Sequence, residues 1–224
     1  STVVDVIIKV PALPRTGEDV NFSSQELHIG GCAHNVSDVL RHFGVPYRIC
    51  SPIGTGMYGD FIKDFFSRKG IPVFAESEEE NSCCYCFVNT QGERTFICGH
   101  GAEYKFDRKS YNKIDMAQVD SAYICGLELG ERTGADEIAY AEELAAFHAV
   151  RGTPFTLYFA PGSRVRAIPQ LFMERMFKLR PVVHLNVHES LAFTRETTAK
   201  AAAHSLWSRT HNSVVITMGA EGAL

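Results

Sequence analysis

The stretch Phe155-Thr156-Leu157-Tyr158-Phe159, the break Pro161-Gly162, a helical pattern over Ile168–Leu179 and then Val182-Val183-His184-Leu185 decides the fold class. Two short, almost fully apolar strands separated by a helix cannot form a hairpin. They must run parallel, with the helix as the crossover. The same unit recurs on either side. Ser121–Cys125 reads as a strand and Ala135–Val150 as a helix. Glu196–Thr210 reads as a helix, with Ala199, Ala203, Leu206 and Thr210 along one stripe, and Val214–Thr217 as a strand. Repetition of this kind predicts a mostly parallel sheet with helices on both faces.

The N-terminal half carries the same rhythm with two interruptions. Val3–Val10 is a β-branched run that stops at Pro11. A helix follows Gly30-Gly31, with Val36, Val39, Leu40 and Phe43 at i, i+3, i+4 and i+7, and Gly44 closes it. Pro46–Ile53 reads as a strand, Met57–Lys69 as a helix stopped by Gly70, and Ile71–Ala75 as a short strand. The interruptions are residues 5–29 and 83–98, which are β-rich with no helix between their strands. In the second, Thr90-Gln91-Gly92-Glu93 supplies a hairpin turn. These two segments are expected to pair as a small antiparallel sheet standing off the main one, a lid over the crevice at the carboxyl ends of the parallel strands.

Composition narrows the classes further. The chain has 224 residues, 45% apolar and 21% charged, with a net charge of −4. That suits one sizeable globular domain and excludes a disordered, collagen-like or coiled-coil chain. Lys and Arg are dispersed, so no nucleic-acid footprint is expected. No apolar run reaches the roughly 18–20 residues of a membrane span, and the N-terminus lacks the pattern of a signal peptide. Of seven cysteines, three cluster in Cys83-Cys84-Tyr85-Cys86. Neighbours on a strand point to opposite faces and cannot easily share an ion, so buried thiols in a reducing, cytoplasmic setting are expected rather than a zinc site.

Three glycine turns and one polar pair carry the chemistry. Gly30-Gly31-Cys32-Ala33-His34-Asn35 leads into a helix. It serves either as a ligand cradle, with backbone N–H groups and the Asn35 amide facing vicinal hydroxyls, or as a plain tight turn. Gly54-Thr55-Gly56-Met57-Tyr58-Gly59 is a literal GxGxxG with Glu76 about 20 residues on. It reads either as a dinucleotide fingerprint or as a helix-start turn at which Gly59 allows close packing. Thr217-Met218-Gly219-Ala220-Glu221-Gly222 follows the last strand and can offer backbone groups to phosphate or ribose. Asn186-Val187-His188-Glu189 also follows a strand. Its amide and carboxylate suit the water shell of Mg²⁺, or Glu189 is an early-helix carboxylate favoured by the helix dipole.

Taken in order, these motifs give a chain that resembles the ribokinase family of carbohydrate kinases, the phosphofructokinase-B type, over its whole length. Asp5 with Pro14-Arg15-Thr16-Gly17-Glu18 is similar to that family's early strand and first lid segment. Gly30-Gly31 with Asn35 is similar to its GGxxxN sugar turn, Asn186-Val187-His188-Glu189 to its NxxE motif, and Thr217-Met218-Gly219 to its T-x-G turn. Gly56 stands where the family has an Asp between two glycines.

The resemblance implies an ATP- and Mg²⁺-dependent phosphotransferase acting on a hydroxyl of a sugar or nucleoside, built on residues 1–224 as a single, incomplete α/β kinase domain. It implies that Asp5, Gly30, Gly31, Asn35 and Glu128 hold substrate. Asn186, Thr217, Gly219, Glu221 and Gly222 would line the ATP site, and Glu189 would order Mg²⁺ through water. The family's D-T-x-G-A-G-D motif, which carries the base, is not found in 1–224, so the base is expected beyond Leu224. Exposed lid edges imply a possible homodimer. The other functions under consideration are an NAD-dependent dehydrogenase using Gly54, Gly56 and Gly59, and a non-catalytic sugar-binding relative.

Overall fold

The computed structural model describes residues 1–130 and 134–224. It comprises two compact units, Ser1–Lys105 and Phe106–Leu224.

The first unit contains β1 (Val3–Lys9), β2 (Ser24–Gly30), α1 (Cys32–His42), β3 (Pro52–Thr55), α2 (Gly56–Lys69), β4 (Ala75–Glu80), β5 (Cys83–Val88) and β6 (Arg94–Cys98). Its larger sheet has the order β2-β1-β5-β6, and β3 pairs separately with β4. The two interrupting segments therefore do form one separate small sheet. It is mixed rather than antiparallel throughout, because β1 runs parallel to β5 while β1–β2 and β5–β6 are antiparallel. The difference arises because a long connection, β2 through β4, returns the chain to the same end of β1.

Alternation along β1 sends Val4, Val6 and Ile8 into a core with Ile53, Ile62, Phe66 and Cys83. The opposite face of β1 carries Asp5 and Ile7. Helix α2 ends where Gly70 takes a left-handed φ of 65°, its N–H donating to the Ser67 carbonyl.

Three element expectations shift. The Val39 and Phe43 positions of the predicted apolar stripe are 56% and 74% exposed. The buried side of α1 instead carries His34 and Ser37, with the His34 ring packed edge-on to Phe65 at 5.5 Å. The strand predicted over 46–53 is displaced to β3, and the one predicted over 71–75 to β4. Ile71 is buried from a loop, while the acidic run Glu76–Glu80 takes the strand because β3 offers its backbone a parallel partner. Glu76 thus lies near the start of β4, opposite Ile53.

The second unit contains α3 (Arg108–Tyr111), β7 (Ser121–Cys125), α4 (Gly134–Arg151), β8 (Thr156–Ala160), α5 (Gln170–Lys178), β9 (Val182–Asn186), α6 (Val187–Thr194), α7 (Ala199–Thr210) and β10 (Val214–Thr217). Its sheet has the order β10-β9-β8-β7 and is parallel throughout, as the apolar strands require. Phe159, Leu185, Ile138, Met176 and Leu206 are almost wholly buried in one cluster. Each such side chain contributes about 2 kcal/mol through its burial.

The stretch after Asn186 holds two helices. Arg195 takes a left-handed φ of 63° and ends α6, and the Thr198 hydroxyl accepts from the Ala201 N–H to start α7. Among the described residues, no helix is long and apolar enough to cross a membrane.

Candidate functional site

In the first unit, strand register sets the candidate carboxylate. Asp5 lies opposite His28 on β2 and Cys84 on β5, and Cys84 lies opposite Cys98 on β6. The row His28–Asp5–Cys84–Cys98 therefore crosses all four strands on one face. The Asp5 carboxyl lies against the Gly30 backbone: a Cβ on Gly30 would stand 2.0 Å from Asp5 Oδ2, so no other residue fits there without moving Asp5.

Gly31, with φ 89°, turns the chain into α1, and a Cβ there would meet the Ser1 carbonyl at 2.6 Å. Among the described residues no side chain caps the start of α1. Burial raises the Asp5 carboxyl above its ordinary range, and the neighbouring His28 opposes that. Asp5, Gly30 and Gly31 are thus brought together. Asn35 lies in the first turns of α1 and is exposed, its N–H donating to the Gly31 carbonyl at 2.9 Å.

The GxGxxG turn is occupied by its own chain. The Gly54 N–H donates to Asn81 Oδ1 at 2.6 Å, and a Cβ on Gly54 would stand 2.0 Å from the Glu79 carbonyl. A Cβ on Gly59 would lie 2.6 Å from the Gly54 carbonyl. These glycines bring β3, α2 and the end of β4 into contact, which is the helix-start reading of the motif.

Beneath them lies a residue that sequence reasoning missed. Glu103 is wholly buried, and its carboxyl accepts from Asn81 Nδ2 at 2.9 Å, Ser82 N–H at 3.1 Å and Gly101 N–H at 2.8 Å. No motif announced it. The available signal was a lone Glu between Gly101-Ala102 and Tyr104, flanked by residues suited to burial.

In the second unit, the strand ends assemble the other candidate group. Asn186 is the N-cap of α6 and forms a capping box with Glu189. Asn186 Oδ1 accepts from the Glu189 N–H at 2.8 Å, and Glu189 Oε2 accepts from the Asn186 N–H at 3.1 Å. The NxxE spacing thus makes a rigid corner, leaving the Asn186 amide NH₂ and the second Glu189 oxygen outside the box. Thr217 on β10 is the register partner of Asn186 on β9, so the two strand ends stand side by side.

Past Thr217 the chain turns back on itself. The Met218 N–H donates to the Gly222 carbonyl at 2.8 Å, and Ile216 and Leu224 exchange hydrogen bonds at 2.9 and 3.0 Å. Gly219 and Gly222 have φ of 62° and 87°, and a Cβ at either would meet nothing within 4 Å. Glycine is needed at both for conformation, and the space beside them is open. Glu221 lies exposed on the same turn.

Glu128 follows β7 and is 1% exposed. Its electrostatic neighbour Glu137, on α4, was not anticipated. Glu137 is also buried, and its Oε2 has no hydrogen-bond partner among the described residues. Burial first, and the Glu128 charge second, push the Glu137 carboxyl well above the ordinary value of 4.5.

The sign of the linked pH dependence follows. Native Glu137 keeps its proton to higher pH than the unfolded chain does. Stability is complete below about pH 4.5 and falls as pH rises from there toward the raised native value. Glu137→Gln removes that slope and is expected to make the chain more stable than wild type at pH 7, with the difference vanishing toward pH 4. Urea midpoints measured from pH 4 to 8 check this, and an unchanged slope counts against it.

A parallel α/β unit with its polar corners at the strand ends, together with a separate small sheet carrying a half-buried carboxylate, defines the ribokinase-like class. The chain belongs to the pfkB family of carbohydrate kinases, whose family model matches residues 1–224. It is 30% identical over 191 residues to an uncharacterized sugar kinase, YegV, of Escherichia coli (strain K12), covering 85% of this chain and 57% of that protein. It is 27% identical over 128 residues to a nucleoside kinase of Thermoplasma acidophilum, covering 51% of this chain and 44% of the relative. The chain thus spans about half the length of these two relatives.

Its fold is that of the ribokinase of Thermotoga maritima, with TM-score 0.77 and 19% identity over 100% of this chain and 71% of that one. Membership of this family removes the dehydrogenase alternative, as the self-packed Gly54–Gly59 turn already suggested.

Proposed function

We propose that the chain is part of an ATP- and Mg²⁺-dependent kinase that phosphorylates a hydroxyl of a sugar or nucleoside. The observation that carries this reading is the register of Asn186 with Thr217, which sets the NxxE capping box beside the T-x-G turn. Open space beside Gly219 and Gly222 suits a nucleotide phosphate or ribose at the turn. Thr217, Gly219, Glu221 and Gly222 are the residues assigned to ATP.

The donor set also suits the metal. Among the described residues no group of three or more His, Cys, Asp or Glu could hold an ion directly. One carboxylate oxygen and one amide at a rigid corner fit Mg²⁺ held largely through water, with Glu189 ordering that water and Asn186 the phosphate side. When bound there, Mg²⁺ supplies neutralisation of the phosphate charge. On the acceptor side Asp5, Gly30, Gly31 and Asn35 are assigned to hydroxyls of the substrate, with Glu128 as a further contact. The small sheet of β1, β2, β5 and β6 is assigned as the lid.

On the sheet face opposite Asp5, the row Leu27–Val6–Tyr85–Ile97 buries Val6 in the core and leaves Leu27, Tyr85 and Ile97 39%, 39% and 59% exposed. The exposed edges of this sheet, with Leu27 on β2 and Ile97 on β6, are the surface we assign to a homodimer contact.

Thermal unfolding of the chain tests the reading. ATP–Mg²⁺ at about 100 times its dissociation constant is expected to add about 2.7 kcal/mol, a rise of a few degrees in Tm. D-ribose or adenosine, tried separately at saturation, should raise it independently, and NAD should leave it unchanged. Stabilisation by NAD alone overturns the proposal.

A further inference from the structure

We infer that Cys84 and Cys98 form a reversible dithiol–disulfide pair that cross-links the β5–β6 hairpin beside Asp5. Their sulfurs lie 2.9 Å apart across the two strands. The register explains why these two meet. The Gly99 N–H donates to the Cys83 carbonyl and the Asn89 N–H to the Glu93 carbonyl, so 83/99 and 89/93 are hydrogen-bonded pairs. Cys84 and Cys98, one step along, form a non-hydrogen-bonded pair. In such pairs the Cα atoms come within about 4.5 Å and the side chains lie closest, at the short end of the range a disulfide spans.

The neighbouring cysteines are placed differently. Cys83 points into the core on the other face. Cys86 shares the face of Cys84, but its register partner is Phe96.

The exposures of the two thiols divide the work between them. Cys98 is exposed on an edge strand, whereas Cys84 is 8% exposed and its thiol is raised, by burial first and by the adjoining Cys98 sulfur second. Cys98 is therefore the entry thiol. As thiolate it attacks one sulfur of a low-molecular-weight disulfide, forming a mixed disulfide and releasing one small thiol. The Cys84 sulfur then attacks the Cys98 sulfur and displaces the second small thiol. The protein pair loses two electrons and two protons, and the small disulfide takes up both as two thiols. A bond at this position fixes the edge strand β6 to β5 on the face that carries Asp5.

The experiment takes the reduced full chain, incubates it with oxidised glutathione, and reads intact mass and cysteine alkylation by peptide mapping. The expected product is lighter by about 2 Da, the two thiol hydrogens. A Cys84–Cys98 linked peptide is expected, with Cys86 still alkylated and full reversal by dithiothreitol. Cys98→Ser, a change at an exposed position, should abolish the loss of mass. Cys84→Ser should halt the reaction at glutathione held on Cys98. Stable glutathione on Cys98 of the unaltered chain, a link to Cys86, or retention of all thiols would each overturn the inference.

Discussion

Replacing Glu103 with alanine is expected to destabilise the first unit by about 3–6 kcal/mol, a large part of the stability of a typical domain. Its carboxyl is wholly buried and accepts from Asn81 Nδ2, Ser82 N–H and Gly101 N–H. Truncation leaves one buried donor, Asn81 Nδ2, and two half-buried backbone N–H groups without their acceptor, at about 1–3 kcal/mol each with the half-buried pair near the low end. The damage also travels. Asn81 holds the Gly54 N–H through its own oxygen at 2.6 Å, at a position where a Cβ would stand 2.0 Å from the Glu79 carbonyl. Glu103→Gln keeps the shape and one acceptor, so it should lose roughly half as much. Urea denaturation of the full chain, followed by near-UV signals from the first unit, checks the order wild type, Gln, Ala. Equal stability of all three would remove Glu103 from the account.

The second large effect concerns ligand binding. Asp5→Ala is expected to weaken sugar or nucleoside binding by roughly 10–150-fold, the worth of one charge-assisted hydrogen bond at about 1.5–3 kcal/mol. The affinity for ATP–Mg²⁺ should change by less than about twofold. The asymmetry follows from the partition of the molecule. Asp5 lies on β1 of the first unit, against Gly30, and the Asn186–Thr217 corner belongs to the second. Removing the side chain also vacates the space against which Gly30 is fitted, so Asp5→Asn serves as the shape-preserving control. Calorimetric titration of each ligand separates the outcomes. Equal loss of both affinities would mean that Asp5 supports the fold and not the ligand.

Much of this was legible from residue types alone. Apolar strands with intervening helices dictate a parallel sheet, because a chain cannot otherwise bury both faces of such strands. The NxxE spacing carried two meanings, a metal-shell pair and an early-helix carboxylate. The structure shows the pair as a capping box that holds the motif rigid. The Gly54–Gly59 motif was ambiguous for a different reason. Spacing reports only where glycine occurs, and what fills the space above it comes from Asn81 and Glu79, more than 20 residues away.

The misplaced strands have one cause. Ile71 and Val73 looked more strand-like than Glu76–Glu80, but a strand is made by a partner for its backbone, and only the acidic run found one in β3.

Local chemistry by itself determined the strand–helix order, the helix stops at glycine and the identity of the polar turns, since these depend on φ preference and on which face of an element is apolar. The tertiary structure alone decided that Glu103 and Glu137 are buried, that Cys84 meets Cys98, and that Asn186 stands beside Thr217. Each of these depends on register or packing between segments far apart in the chain, and periodicity within one segment carries no information about its neighbour.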